Sequence, residues 1–321
     1  MGKATKLWVI MAAVFILLGC IIFGSVLIEL NFDFTKLSTV KYEENAYTIT
    51  DTIKNISINT NTADIIFKSA NECKVICYEE TNAKHTVNVE NNTLKISVND
   101  QRKWYEMIGF SLSKPEITVY LPQNQYASLT INQSTGDMEI PQNLKFQIID
   151  ISASTGDVEC SASVSDDLKI KLSTGDIELE NISAKSIDLA VSTGEIDVDT
   201  VICEEDIKVT VSTGDVSLDN ISCRNLISSG DTGDFELSNV IASEKFSLIR
   251  TTGDIELDRC DAAELYIKTD TGHVKGSLLG EKIFITHTDT GRVNVPKTVS
   301  GGKCEITTDT GDIKIICIVK N

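Results

Sequence analysis

Aromatic side chains make up only 6% of this 321-residue chain, and it holds four prolines. A core of large rings is excluded. The interior must be built from Ile, Leu and Val, which suit thin, evenly layered packing on pleated surfaces. Basic charge is also scarce: 29 Lys and Arg stand against 47 Asp and Glu, a net charge of −18. That balance disfavours nucleic acid and anionic lipid headgroups as partners, and it fits cations, basic proteins or plain solubility. Nine cysteines are present but no C-x-x-C pair, which argues against a zinc or thioredoxin-type site. Cys73 and Cys77, four apart on an expected strand, would share a face at about 13 Å, too far to bridge.

A long apolar run is the first thing present. Leu7 to Ile28 carries no charge, with Lys3 and Lys6 before it and Glu29 and Asp33 after it. It is long enough to cross the hydrocarbon core as a helix. The flanking charges predict a cytoplasmic N-terminus and an exported remainder. A cleaved signal peptide is the alternative, but the run exceeds a signal h-region and no clear A-x-A site follows. Leu17-Leu18-Gly19-Cys20 has the outline of a lipoprotein processing site, yet Ile21, Ile22 and Phe23 continue the apolar run. The expected division is 1–6 cytoplasmic, 7–28 transmembrane, 29–125 a β-rich cap and 126–321 a repeat region.

Ten Thr-Gly dipeptides recur every 19 or 20 residues, with glycines at Gly136, Gly156, Gly175, Gly194, Gly214, Gly233, Gly253, Gly272, Gly291 and Gly311. A fixed short period predicts a β-solenoid of about ten coils, each burying its apolar face by stacking on its neighbours. In one coil Leu168, Ile170 and Leu172 alternate with lysines, Ser173-Thr174-Gly175-Asp176 forms a corner, and Ile177 and Leu179 alternate with Glu178 and Glu180. Asn181-Ile182, Asn220-Ile221 and Asn239-Val240 read as a second corner. The competing reading makes each Thr-Gly the tip of an antiparallel hairpin, although Thr-Gly is a poor primed-turn pair. Cys203 and Cys223 each stand nine residues after a repeat glycine. In a stack they become neighbours about 4.8 Å apart, within reach of a disulfide. Small core fillers remain the expected role of most cysteines.

Ahead of the array, Asn61-Thr62-Ala63-Asp64 looks like a degenerate corner. Lys74–Tyr78, His85–Val89, Leu94–Val98 and Glu116–Leu121 read as strands, with a hairpin turn at Asn91-Asn92. The aromatic cluster Trp104–Phe110 is expected to plug the cap.

The membrane helix, the strand Glu116–Pro122 (EITVYLP) and the segment Leu129–Asp137 (LTINQSTGD), with its many S-T-G-D reiterations, resemble the DUF4097 family of bacterial envelope proteins. The resemblance covers roughly residues 40 to 321. It implies a β-solenoid ectodomain on a bacterial surface protein, adhesin-like or associated with envelope stress, and it implies no catalytic residues. His273 and Arg292 depart from the pattern, standing where the other corners place an acid.

Three rows are expected to run along the rod: the threonines, the acids Asp137, Asp157, Asp176, Glu195, Asp215, Asp234, Asp254 and Asp312, and a row two before glycine that changes from serine to acid at Asp231. Their bland role is to make corners and cross-coil hydrogen bonds. The sharper reading is a calcium ladder of hard oxygen ligands, with Asp231, Asp234, Asp309 and Asp312 as the metal candidates; no other cofactor is implied. His273 and His287 fall on different strands and read as solvated. A polysaccharide lyase or hydrolase would need an irregular coil with a cleft, whereas the spacing here varies by one residue only. The expected function is therefore a non-catalytic surface module with an unknown envelope protein or glycan partner. Self-association is a further expectation, through Asp312–Val319 as an uncovered last strand.

Overall fold

The computed structural model describes residues 2–29, 31–32, 40–102 and 113–318. It opens with one helix, Lys3–Glu29, within which Thr5–Glu29 is long and apolar enough to cross a membrane. The Trp104–Phe110 cluster and Val319 lie outside the described residues. Nearly everything else is strand, in an all-β solenoid.

One coil shows how the sequence folds. In Asp167–Thr174 the residues Leu168, Ile170 and Leu172 point inward while Lys169 and Lys171 face out. After the corner, Ile177 and Leu179 of Ile177–Glu180 return inward. Asn181 then turns the chain in the left-handed region (φ 54°), and the short strand Ser183–Ala184 closes a third side. Asn220 and Asn239 adopt the same conformation (φ 54° and 53°), as the second-corner reading expects, and Thr200 and Arg259 take it as well. Each buried aliphatic side chain contributes about 1.5–3 kcal/mol.

Stacking is parallel and in register. Thr174 lies opposite Thr155 below and Thr193 above, and Leu168, Ile170 and Leu172 lie opposite Ile187, Leu189 and Val191. The hairpin alternative is thereby overturned: Leu172 pairs with the next coil, not back across Gly175. The reason for glycine is steric. A Cβ on Gly156 would sit 2.0 Å from the carbonyl oxygen of Gly136, and one on Gly194 2.0 Å from that of Gly175. Each corner rests its backbone directly on the neighbouring corner, and all of these glycines but Gly291 take φ values that side chains resist.

The column extends into residues 29–125. Asn55–Thr62 pairs in parallel with Gln125–Thr135, setting Thr62 opposite Thr135, so Asn61–Asp64 is a corner of the stack. Thr93–Asp100 and Glu116–Leu121 form the next layer out. Antiparallel strands then cover that end: Ala83–Glu90 on Thr93–Asp100, Cys73–Glu80 on Glu116–Leu121, and Tyr42–Ile49 on Cys73–Glu80. The Asn91-Asn92 turn joins two of them, both residues at positive φ.

The other end does not stack in chain order. Gly302–Thr310 pairs with Glu264–Thr271 on one side and Lys282–Thr290 on the other, so the Gly311 coil sits inside and the Gly291 coil outside. A Cβ on Gly311 would meet the Gly272 carbonyl oxygen at 1.9 Å, and one on Gly291 the Gly311 carbonyl oxygen at 2.0 Å. The expectation that the strand after Asp312 would be the open edge is corrected at its start: Val293–Asn294 covers Ile313 and Lys314, while among the described strands Ile315–Cys317 pairs on the Val274–Leu278 side alone. The cause is apolar content. Cys304, Ile306 and Thr308 are fully buried, whereas the facing positions are Phe284, Thr286 and Thr288, and Ile283, Ile285 and Val293 remain exposed. Lys282–Thr290 carries more apolar residues in all, but the inward positions of the inner coil, Cys304, Ile306, Ile313 and Ile315, are the more aliphatic set and take the more buried place. Lys282 pins the excursion, its buried Nζ donating to the Ala262 carbonyl (2.6 Å) and pairing with Asp261 (2.6 Å).

Replacing Gly194 with Ala should cost about 3 kcal/mol in a denaturant melt, because both the backbone conformation and the Gly175 carbonyl oppose a methyl group. Hydrogen exchange should run faster in Lys282–Thr290 than in Gly302–Thr310, the reverse of what a stack in chain order gives.

Candidate functional site

The corner acids form a hydrogen-bonded column. The Asp157 N–H donates to Asp137 Oδ1 (3.1 Å), Asp176 N–H to Asp157 Oδ1 (2.9 Å) and Glu195 N–H to Asp176 Oδ1 (2.6 Å). Asp234 N–H donates to Asp215 Oδ1 (2.7 Å), Asp254 N–H to Asp234 Oδ1 (2.8 Å) and His273 N–H to Asp254 Oδ1 (2.7 Å). Below Asp137, Asp64 plays the same part, accepting the Asp137 N–H at 3.0 Å. A short carboxylate is needed because the next backbone N–H stands one coil away.

The two departures now have physical accounts. His273 Nδ1 accepts the Asp312 N–H at 2.9 Å, so the ring stands in for a carboxylate oxygen. Arg292 occupies the outermost coil, where among the described residues no further corner N–H follows. Its own N–H donates to Asp312 Oδ1 (2.8 Å) and its guanidinium returns to Asp312 Oδ2 (3.2 Å), holding the Asp312 carboxyl below the usual range. His287 instead pairs with Asp289 on the exposed surface (2.9 Å), away from His273.

Asp231 and Asp234 acquire a different neighbour. Arg250 is buried in the solenoid interior, with its guanidinium 5.1 Å over the Phe235 ring and Nη1 donating to the Val211 carbonyl (3.2 Å). Gly230 leaves the space, since a Cβ there would lie 1.7 Å from Nη1. Burial pulls the Arg250 pKa down, opposed by the charges of Asp215, Asp231 and Asp234. Among the described residues no ion pair joins these acids to Arg250, whose buried Nε and Nη2 have no hydrogen-bond partner. Asp309 lies near Lys268, which pairs with Asp270 at 2.9 Å. Among the described residues, the one group of three His, Cys, Asp or Glu ligand atoms within 4.8 Å of one another is Cys77, Glu79 and His85. Asp231, Asp234, Asp309 and Asp312 are outside it.

Cys203 and Cys223 both point into the narrow third side of the coil, in a column with Ala184 and Ala242. Both are free thiols, and burial pushes their pKa values up to about 11 and about 12.

A second acidic feature appears only in the register. On the strand after the corner, Glu139, Glu159, Glu178 and Asp197 lie directly opposite one another in successive coils. Ser217 interrupts, then Glu236 and Glu256 continue. Beside them Glu180, Asp199 and Asp219 form a parallel column. Like charges placed opposite in a sheet repel. Glu178 records this: burial, then Glu159, Glu180 and Asp197, raise its pKa. The face of the pre-corner strands is mixed instead, pairing Lys169 with Asp150 (3.9 Å) and Lys171 with Asp188 (3.8 Å). At the base of the acidic face, Asp64, Ile66, Asp137, Met138, Glu139, Asp157 and Glu159 line an open depression of about 210 Å³. The legible signal was an acid at the third position after successive glycines.

The architecture and this surface define a class: an elongated parallel β-solenoid whose distinguishing surface is one acidic side. The family model "Toastrack DUF4097" matches residues 53–210 and 201–319, and the chain belongs to that family. A "putative lipid binding protein" of Parabacteroides distasonis ATCC 8503 superposes with a TM-score of 0.51 at 15% identity, covering 87% of this chain and 98% of its own. A "putative adhesin" of Parabacteroides merdae ATCC 43184 gives 0.49 at 11% identity, covering 86% and 96%. A "putative adhesin (BF0245)" of Bacteroides fragilis NCTC 9343 gives 0.43 at 14%, covering 86% and 97%. A search of curated proteins found no match.

If the corner acids act as acceptors, Asp176→Asn, which keeps Oδ1, should leave stability nearly unchanged, while Asp176→Ala should cost about 1 kcal/mol in urea unfolding. Equal losses in the two variants would assign the column a charge role instead.

Proposed function

We propose that this protein is a non-catalytic, membrane-tethered rod at the bacterial cell surface that presents its acidic face to a cationic partner. The helix Lys3–Glu29, with Lys3 and Lys6 ahead of Glu29, supports an anchor with a cytoplasmic N-terminus and an exported solenoid. The adhesin names of similar folds are compatible with a surface role. The observation that carries the reading is the column of Glu139, Glu159, Glu178 and Asp197. Repulsion along a rigid ladder is a standing cost to the fold, and a polycation matching the coil spacing relieves it. The uniform corner spacing supports a binding role over a catalytic one, because no inserted loop builds a cleft in the array.

The test uses the full chain in nanodiscs of neutral lipid, with poly-lysine as the probe. Binding should be saturable and should weaken about tenfold or more when salt rises from about 50 to 200 mM. Changing Glu139, Glu159 and Glu178 to Gln and Asp197 to Asn should remove most of the affinity, whereas Asp150→Asn with Asp188→Asn should leave it intact. Equal effects of the two sets, or none from the first, would reject the acidic face as the docking surface.

A further inference from the structure

The cap contains a polar cluster that neither the stacking nor the acidic face requires. Strand Cys73–Glu80 turns Cys73, Val75, Cys77 and Glu79 inward, and Glu79 is 0% exposed. A carboxylate in an apolar row needs compensation. Asn45 Nδ2 donates to Glu79 Oε1 (2.8 Å), and the His85 backbone N–H donates to Oε2 (2.6 Å). His85 Nδ1 lies 2.7 Å from the same Oε2, while its Nε2 lies 2.8 Å from Thr60 Oγ1. Cys77 Sγ completes a set of three ligand atoms, all buried, within 4.8 Å of one another.

We propose that Cys77, Glu79 and His85 form a binding site for one divalent transition-metal ion of the zinc class. Thiolate sulfur, imidazole nitrogen and carboxylate oxygen together suit zinc, whereas the sulfur disfavours magnesium and calcium. The surroundings are those of a held ligand set. Thr60 on Nε2 leaves Nδ1 facing the carboxylate, and Asn45 orients that carboxylate from its other oxygen. For Nδ1 to bind the cation the imidazole keeps its proton on Nε2, facing Thr60 Oγ1; the cation then replaces the proton between Nδ1 and Oε2 and the proton of the thiol. Both leave to solvent as metal–nitrogen, metal–oxygen and metal–sulfur bonds form, with no change of oxidation state. A cavity of about 20 Å³, lined by His85 with Asn61, Thr62, Glu80 and Arg102 but not by Cys77 or Glu79, lies on another side of the imidazole and has the size of one water. Motif spacing overlooks this site because two ligands stand two apart on one strand and the third comes from the next strand.

Cobalt titration of the reduced full-length chain in detergent tests the proposal. One equivalent of Co²⁺ should bind with thiolate-to-metal charge-transfer absorption, and Zn²⁺ should displace it. Cys77→Ala should abolish the band and weaken binding at least about tenfold, while Cys73→Ala, which alters a buried cysteine on the same face, should retain it. Zinc should raise the melting temperature of the wild-type chain and not that of Cys77→Ala. The proposal is overturned if the wild-type chain shows no such band, or if Cys77→Ala, folded by circular dichroism, binds cobalt as tightly.

Discussion

The solenoid depends on one contact repeated at every Thr-Gly corner: backbone resting on backbone, with the carbonyl of a neighbouring corner, Ala63 beneath Gly136 and a glycine beneath the others, where a Cβ would stand. That approach sets the vertical register, and the register places like side chains over like. Threonine meets threonine, inward aliphatic residues meet each other, and most corner N–H groups are brought to the side chain of the coil before them, Asp215 above Glu195 being an exception. A solenoid held this way tolerates little backbone variation at the corner and considerable variation elsewhere, because each coil interacts mainly with its neighbours.

The same register gives acids two opposite energetic roles. At the corner, an aspartate accepts a hydrogen bond from the next coil, so its charge is compensated by a backbone dipole. On the strand that follows, Glu139, Glu159, Glu178 and Asp197 face one another with no such donor among their described contacts, and the raised pKa of Glu178 reflects the crowding. The first set serves the fold. The second opposes it slightly, and the proposed docking surface rests on that cost.

Both ends of the stack are solved by breaking chain order. At one end, antiparallel strands cover the outermost coil and enclose the Glu79–His85 pair. At the other, the chain runs outward through Lys282–Thr290 and returns, so that Gly302–Thr310 is paired on both sides and Ile313–Cys317 is covered at its first two residues. Arg292, without a corner above it, is free to depart from the acidic pattern, and His273, with one, must still supply an acceptor.

From sequence alone, the period, the corner glycines, the αL asparagines, the degenerate corner at Asn61–Asp64 and the membrane-length helix were legible, because each is a local demand that recurs at fixed spacing. The row of corner acids and its role in cross-coil hydrogen bonds were legible too, though the particular partner, the backbone N–H of the next corner residue, was not, since that depends on which N–H lies one coil away. The order of the last two coils, the Arg250 pocket beside Asp231, and the meeting of Cys77, Glu79 and His85 were decided only by tertiary structure. Those features arise from competition among strands of similar pattern for the few most buried places, and such a contest is settled by total burial across the assembled core, not by any single segment's periodicity.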